Sequence, residues 1–116
     1  MHVVLLSSDL MFTSKIEGAV RTCGAKLFVT SDAQAAITSA NEEGSALVMI
    51  DLTLPVLNLE DLLTSLPEGC QSLAYGPHVH EAKLAAANDA GCDLVVSRGE
   101  LDRKLPTLLA KFIVTN

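Results

Sequence analysis

Five short apolar runs alternate with stretches of helical periodicity, and this alternation leaves few folds open to the chain. The runs fall at residues 3–7, 26–30, 46–51, 71–75 and 93–97. They carry few polar residues, as in Val3-Val4-Leu5-Leu6 and Ala46-Leu47-Val48-Met49-Ile50. A strand covered by helices on both faces of a parallel sheet has this look, whereas a half-solvated strand alternates. Between the runs the period changes. Phe12, Ile16, Ala19, Val20 and Cys23 recur at i, i+4, i+7, i+8 and i+11, which is one face of a helix. Ala33, Ala36, Ile37 and Ala40 repeat the pattern, and Leu101, Leu105, Leu108, Leu109 and Phe112 form a last stripe.

The punctuation agrees. Gly24, Gly44, Gly69 and Gly91 each stand just before a run, where a helix or loop must turn into a strand. Ser31 with Gln34, and Ser97 with Glu100, read as capping boxes at helix starts. The pattern predicts an α/β domain of (βα)5 form spanning residues 1–116. Its five-stranded parallel sheet has the order 2-1-3-4-5, with two helices on one face and three on the other.

Composition narrows what such a domain does. The 116 residues carry a net charge of −6, and their eight basic side chains are scattered, which argues against a nucleic-acid partner. No apolar stretch approaches the ~20 residues needed to span a bilayer, and no signal peptide is visible, so no membrane is expected. Cys23, Cys70 and Cys92 are odd in number and lack CxxC spacing, as expected of reduced thiols in the cytoplasm.

In open parallel sheets, ligands bind beyond the carboxyl ends of the strands. Those ends carry Ser7-Ser8-Asp9, Ser31-Asp32, Asp51-Leu52-Thr53, Gly76-Pro77 and Ser97-Arg98-Gly99. An acid closing an apolar central strand is costly to bury without partners, so Asp51 most needs a functional explanation.

With these residues in view, the chain resembles the receiver domain of two-component response regulators. Ala46-Leu47-Val48-Met49-Ile50-Asp51-Leu52-Thr53-Leu54-Pro55 is similar to the family's third strand, phosphoacceptor aspartate and following proline. Ala90-Gly91-Cys92-Asp93-Leu94-Val95-Val96-Ser97-Arg98 resembles its Ala-Gly-Ala-Asp segment leading to a basic residue. Ser8-Asp9 closes the first strand. The resemblance implies a stand-alone, non-enzymatic receiver-like module of phosphorelay signalling, with Asp51 as phosphoacceptor. It further implies a weak Mg²⁺ site from Asp9, Asp51 and the Thr53 carbonyl. The implied partner is a signalling protein: a histidine kinase, a phosphotransfer protein or an output protein. A homodimer through the last helix–strand–helix face is a further expectation.

Three positions depart from the family pattern. Ser8 stands where one of two acids is usual; a register shifted by one would pair Ser7 with Ser8 instead. Gly76, or Tyr75 in a slipped register, stands at the switch hydroxyl. Arg98 stands at the lysine, and its planar fork differs from a compact ammonium. Together they point to a pseudo-receiver acting through protein–protein contact.

Other readings stand beside these. Asp9 is as well placed to cap a helix as to bind metal. Arg98 fits a solvent-facing helix start as well as an anion contact. His78 and His80 read as loop histidines, since zinc sites need more ligands at local spacing. A flavodoxin-like small-ligand or mononucleotide-binding module shares the fold, but the first loop lacks glycine and the chain has no Trp.

Overall fold

The computed structural model describes residues 1–55 and 57–113; Val56 and residues 114–116, within the expected domain span, lie outside the described residues. The elements alternate strictly: β1 (His2–Leu6), α1 (Leu10–Thr22), β2 (Lys26–Thr30), α2 (Ala33–Glu43), β3 (Leu47–Asp51), α3 (Leu59–Ser65), β4 (Gln71–Gly76), α4 (Glu81–Asp89), β5 (Leu94–Ser97) and α5 (Arg98–Ala110). The sheet order is β2-β1-β3-β4-β5, and every neighbouring pair is parallel. Both match the expectation from the alternation.

Strand parity sorts the core into two halves. Successive strand residues point to opposite faces. Val3, Leu5, Leu47, Met49 and Leu73 therefore pack under α1 and α5, with Phe12, Ile16, Val20, Leu101, Leu105 and Leu109. Val4, Leu6, Val48, Ile50 and Ala74 pack under α2, α3 and α4, with Ala36, Ala40, Leu62 and Ala87. The small residues Ala36 and Ala40 let α2 lie close on the sheet. The three helical stripes read from the sequence are the buried or half-buried faces of α1, α2 and α5.

Two details differ from expectation. The outer strand β2 is not covered on both faces: it carries exposed and half-buried residues, and Phe28 is 38% exposed. An edge strand has a neighbour on one side only, so an apolar run does not by itself place a strand in the middle. The α2 cap is Asp32, not Ser31: the Asp32 carboxylate accepts from the Ala35 amide at 3.0 Å. A carboxylate one residue later reaches the orphan amide and favours the positive end of the helix, so it wins the position. At the start of α5 the expected cap is present, Ser97 Oγ accepting from the Glu100 amide at 3.1 Å.

Gly44 closes α2 at φ 62°, a left-handed conformation in which an L side chain is strained, and its amide donates to the Ala40 carbonyl. Gly24, Gly69 and Gly91 also take positive φ. Helix α5 leaves helical geometry at Lys104 (φ −114°, ψ 19°), two residues before Pro106, whose ring excludes a regular i to i−4 bond. No described helix is long and apolar enough to cross a membrane.

Candidate functional site

Register brings the site together. Leu6 pairs with Ile50 on β3, and on its β2 side the Ser7 amide donates to the Thr30 carbonyl at 2.9 Å. Ser7 therefore lies level with Asp51, which pairs with Tyr75. All three share the parity of the α1/α5 face. They form a row across the carboxyl edge of the three central strands.

Asp51 is 4% exposed and is satisfied by short-range donors. Its Oδ2 accepts from Ser7 Oγ at 2.8 Å. Its Oδ1 accepts from the Thr53 amide at 2.9 Å and from Thr53 Oγ1 at 2.7 Å. Three donors to one ionised carboxylate offset much of its burial cost, since bonds to a charged acceptor are the stronger kind. The arrangement is also asymmetric, because Oδ1 takes two donors and Oδ2 takes one.

Ser7 works in both directions. Its oxygen accepts the Asp9 amide at 3.1 Å while its hydroxyl donates to Asp51. Asp9 follows as the cap of α1, with Oδ1 accepting from the Phe12 amide at 3.2 Å. Its Oδ2 meets Arg98 Nη2 at 2.6 Å. Arg98, the first residue of α5, also lies over the Phe12 ring, with Cζ 4.7 Å from the centroid. Phe12 in turn meets Tyr75 edge-on, the ring centroids 5.5 Å apart at 67°. Lys15 pairs with Asp102 beside this contact, a second link between α1 and α5.

The expected site residues thus divide. Asp9, Asp51, Thr53 and Arg98 gather at the carboxyl edge. Ser8 is exposed, and Ser7 rather than Ser8 stands on Asp51. Gly76 has the opposite parity and lies beside Leu52 and Leu84; a Cβ there would meet Leu52 Cβ at 3.4 Å. Tyr75 takes the face shared with Asp51. Ser7 and Tyr75 entered the sequence reading only as shifted-register alternatives to Ser8 and Gly76, and Phe12 only as part of a helix stripe. Counting parity along β1 and β4 from the buried apolar residues finds the first two.

Tyr75 is 2% exposed, and its hydroxyl has no hydrogen-bond partner among the described residues. Burial pushes the phenol above its ordinary range; nearby Ser7 opposes this, the charges of Asp51 and Asp9 add to it, and Arg98 opposes it. The site keeps the phenol neutral.

The lower edge of the sheet carries structural chemistry. Asp93 Oδ2 accepts from the Ser72 amide at 2.8 Å, and Ser72 Oγ accepts from the Asp93 amide at 3.1 Å, which locks the start of β4 to that of β5. Cys70 lies nearby, its thiol pushed up to about 11 by burial and then by Asp93. Among the described residues, no group of three or more His, Cys, Asp and Glu side chains is arranged to hold a metal ion. Asp9 and Asp51 are the two acids at the carboxyl edge, and both make hydrogen bonds there.

No family model matches the chain, and no curated protein matches it in sequence. Solved structures do match in fold. The receiver domain of a sensor histidine kinase from Pseudomonas aeruginosa PAO1, with a magnesium ion coordinated in its active site cleft, superposes at a TM-score of 0.78 and 18% identity, over 97% of this chain and 96% of that one. A response regulator signal receiver domain from Bermanella marisrubri gives 0.80 at 17% identity, over 97% and 98% of the two chains. The receiver domain of NtrX from Brucella abortus gives 0.80 at 16% identity, over the full length of both. The fold of this chain is that of response-regulator receiver domains.

Proposed function

We propose that residues 1–116 form a receiver-like domain of two-component phosphorelay signalling, with Asp51 as its phosphoacceptor, acting through contact with a signalling protein rather than through a turnover of its own. One observation carries the reading: a buried, fully hydrogen-bonded carboxylate closes the central strand of a receiver fold, where no packing need calls for a charge. In the transfer, an Asp51 oxygen forms a bond to phosphorus and the bond from phosphorus to the donor's nitrogen or acyl oxygen breaks. The donor leaves with that electron pair. Oδ2 is the better nucleophile, because Oδ1 already accepts two hydrogen bonds.

Asp9, Asp51 and the Thr53 carbonyl are oxygen donors suited to Mg²⁺, which commonly keeps several waters and takes one or two carboxylates. They fit a weak site, and the magnesium held by the Pseudomonas aeruginosa receiver supports it. When bound, the ion would offset charge on the transferring phosphoryl group.

The surroundings favour a degenerate switch. Ser8 stands where an acid is usual and the Asp51 carboxylate meets only the neutral hydroxyl of Ser7 from β1, Gly76 brings no hydroxyl to the Asp51 face, and Arg98 is engaged by Asp9. Phosphorylation then makes few contacts that differ between two conformations, and without differential affinity no equilibrium shifts. The partner is a kinase, phosphotransfer or output protein in the cytoplasm, with α4, β5 and α5 as the face for it or for a second copy. A mononucleotide-binding role gains nothing from the site, because the Asp9 carboxylate already occupies the positive end of α1.

The test is intact mass after acetyl phosphate, with Asp51→Asn as control, and hydrogen exchange across residues 76–112. The expected result is little stable label and little change in exchange, with a partner still captured by the unmodified protein. Stoichiometric label on Asp51 with clear protection changes would make the domain an ordinary phosphorylation switch.

A further inference from the structure

The geometry points to Arg98 as a built-in counter-ion that competes with a divalent cation for the Asp9 carboxylate, so that metal enters only as the guanidinium leaves. The inference rests on the reading that Asp9 and Asp51 form the metal-binding pair.

Both oxygens of Asp9 are engaged. Oδ1 holds the Phe12 amide at 3.2 Å, and Oδ2 holds Arg98 Nη2 at 2.6 Å. Each oxygen keeps a lone pair, so it is charge rather than occupancy that opposes a cation arriving at Asp9: the guanidinium already on Oδ2 repels it. The amide belongs to the first turn of α1 and moves only if that turn unwinds. Arg98 is a long side chain, 47% exposed, and moves by rotation about its own bonds. The guanidinium is therefore the group that yields.

It yields at a cost. Its plane rests 4.7 Å over the Phe12 ring, a second attraction independent of the carboxylate. Phe12 is buried and braced by Tyr75, so the ring is a fixed platform. The backbone is fixed as well, because the Ser97 cap sets the start of α5 one residue earlier. The displaced guanidinium also has somewhere to go. A cavity of about 450 Å³ lies alongside, lined by Phe12, Pro77, His78, Arg98, Gly99 and Asp102. Asp102 offers an alternative carboxylate there, shared with Lys15.

Two states follow. In one, Arg98 neutralises Asp9 and the site needs no metal. In the other, Asp9 and Asp51 would hold a divalent cation and Arg98 would stand in the side cavity. A ligand that binds only the second state has its affinity reduced by the population of the first.

The experiment is titration of the intact chain with MgCl₂, followed by amide shifts of residues 7–12 and 51–53. It compares the native protein with Arg98→Gln, Arg98→Lys, Asp9→Asn and the Asp9→Asn/Arg98→Gln double variant. Arg98→Gln is expected to tighten Mg²⁺ binding by about three- to tenfold, the range for losing a partly exposed competing charge. Arg98→Lys is expected to fall between, and the gain is expected to vanish in the Asp9→Asn background. In the native protein the Arg98 side-chain Nε–H resonance should move as Mg²⁺ binds. Equal or weaker binding by Arg98→Gln, with normal shifts at residues 7–12 and 51–53, would overturn the competition and leave the metal-binding pair standing. No shifts at those residues in any variant would overturn the metal-binding pair and the competition together.

Discussion

Ser7 and Asp51, 44 residues apart in the chain, meet through a 2.8 Å hydrogen bond at the carboxyl edge of the sheet. The contact follows from parallel register: β1 and β3 run side by side, and the residue after Leu6 comes level with the last residue of β3. A neutral donor in that position satisfies Asp51 where a second acid would repel it.

Ser7→Ala should therefore destabilise the fold by about 1–3 kcal/mol, because a buried carboxylate loses a charge-assisted bond. Ser8→Ala, on an exposed residue, should stay within about 0.5 kcal/mol. Urea unfolding of both variants at neutral pH checks the contrast. Equal effects would mean that Ser8 shares the contact.

Tyr75→Phe should raise stability by about 1 kcal/mol. It removes a buried hydroxyl that has no partner among the described residues and keeps the ring against Phe12. A lower urea midpoint would show that the hydroxyl is bonded in solution, with Ser7 as the nearest candidate.

The α2 cap gives a similar pair. Asp32→Ala should cost about 1 kcal/mol, and Ser31→Ala should cost little, since the carboxylate of Asp32 holds the Ala35 amide. Thermal melts followed by circular dichroism distinguish them.

Alkaline pH should unfold the protein early. Burial raises the Cys70 thiol from 9.0 to about 11, so the folded state keeps a proton that the unfolded chain releases. That contribution is fully present below about pH 9 and is lost as pH rises toward 11. Cys92 shifts in the same direction through burial. Urea midpoints between pH 8 and 11 should fall less steeply in Cys70→Ala than in the native chain.

Much of the fold was legible because its core obeys simple periods. The unbroken runs of β1 and β3 and the stripe from Phe12 to Cys23 each have one physical meaning. Edge position was not legible, because Lys26–Thr30 is apolar enough for either place. The site was legible only where a residue type stood out. Asp51 did, as a charge ending an apolar run. Ser7 did not, because Ser7-Ser8-Asp9 reads equally well in two registers until strand parity is fixed by packing. Of the two readings Asp9 had, the structure shows the cap of α1 on one oxygen, and on the other an ion pair with Arg98 that the sequence did not suggest. Gly76 was placed by resemblance, and parity turns it toward Leu52 instead.

Tyr75 has one more consequence. The chain has one tyrosine and no tryptophan, so its intrinsic fluorescence comes from a single ring, set beside Ser7 and level with Asp51. An anion or cation entering the site, or a shift of Arg98 off Phe12, changes the field and the quenching groups around that one emitter. The protein thus carries its own optical reporter on the strand next to Asp51, the residue where signalling would begin, and it can be read without a label.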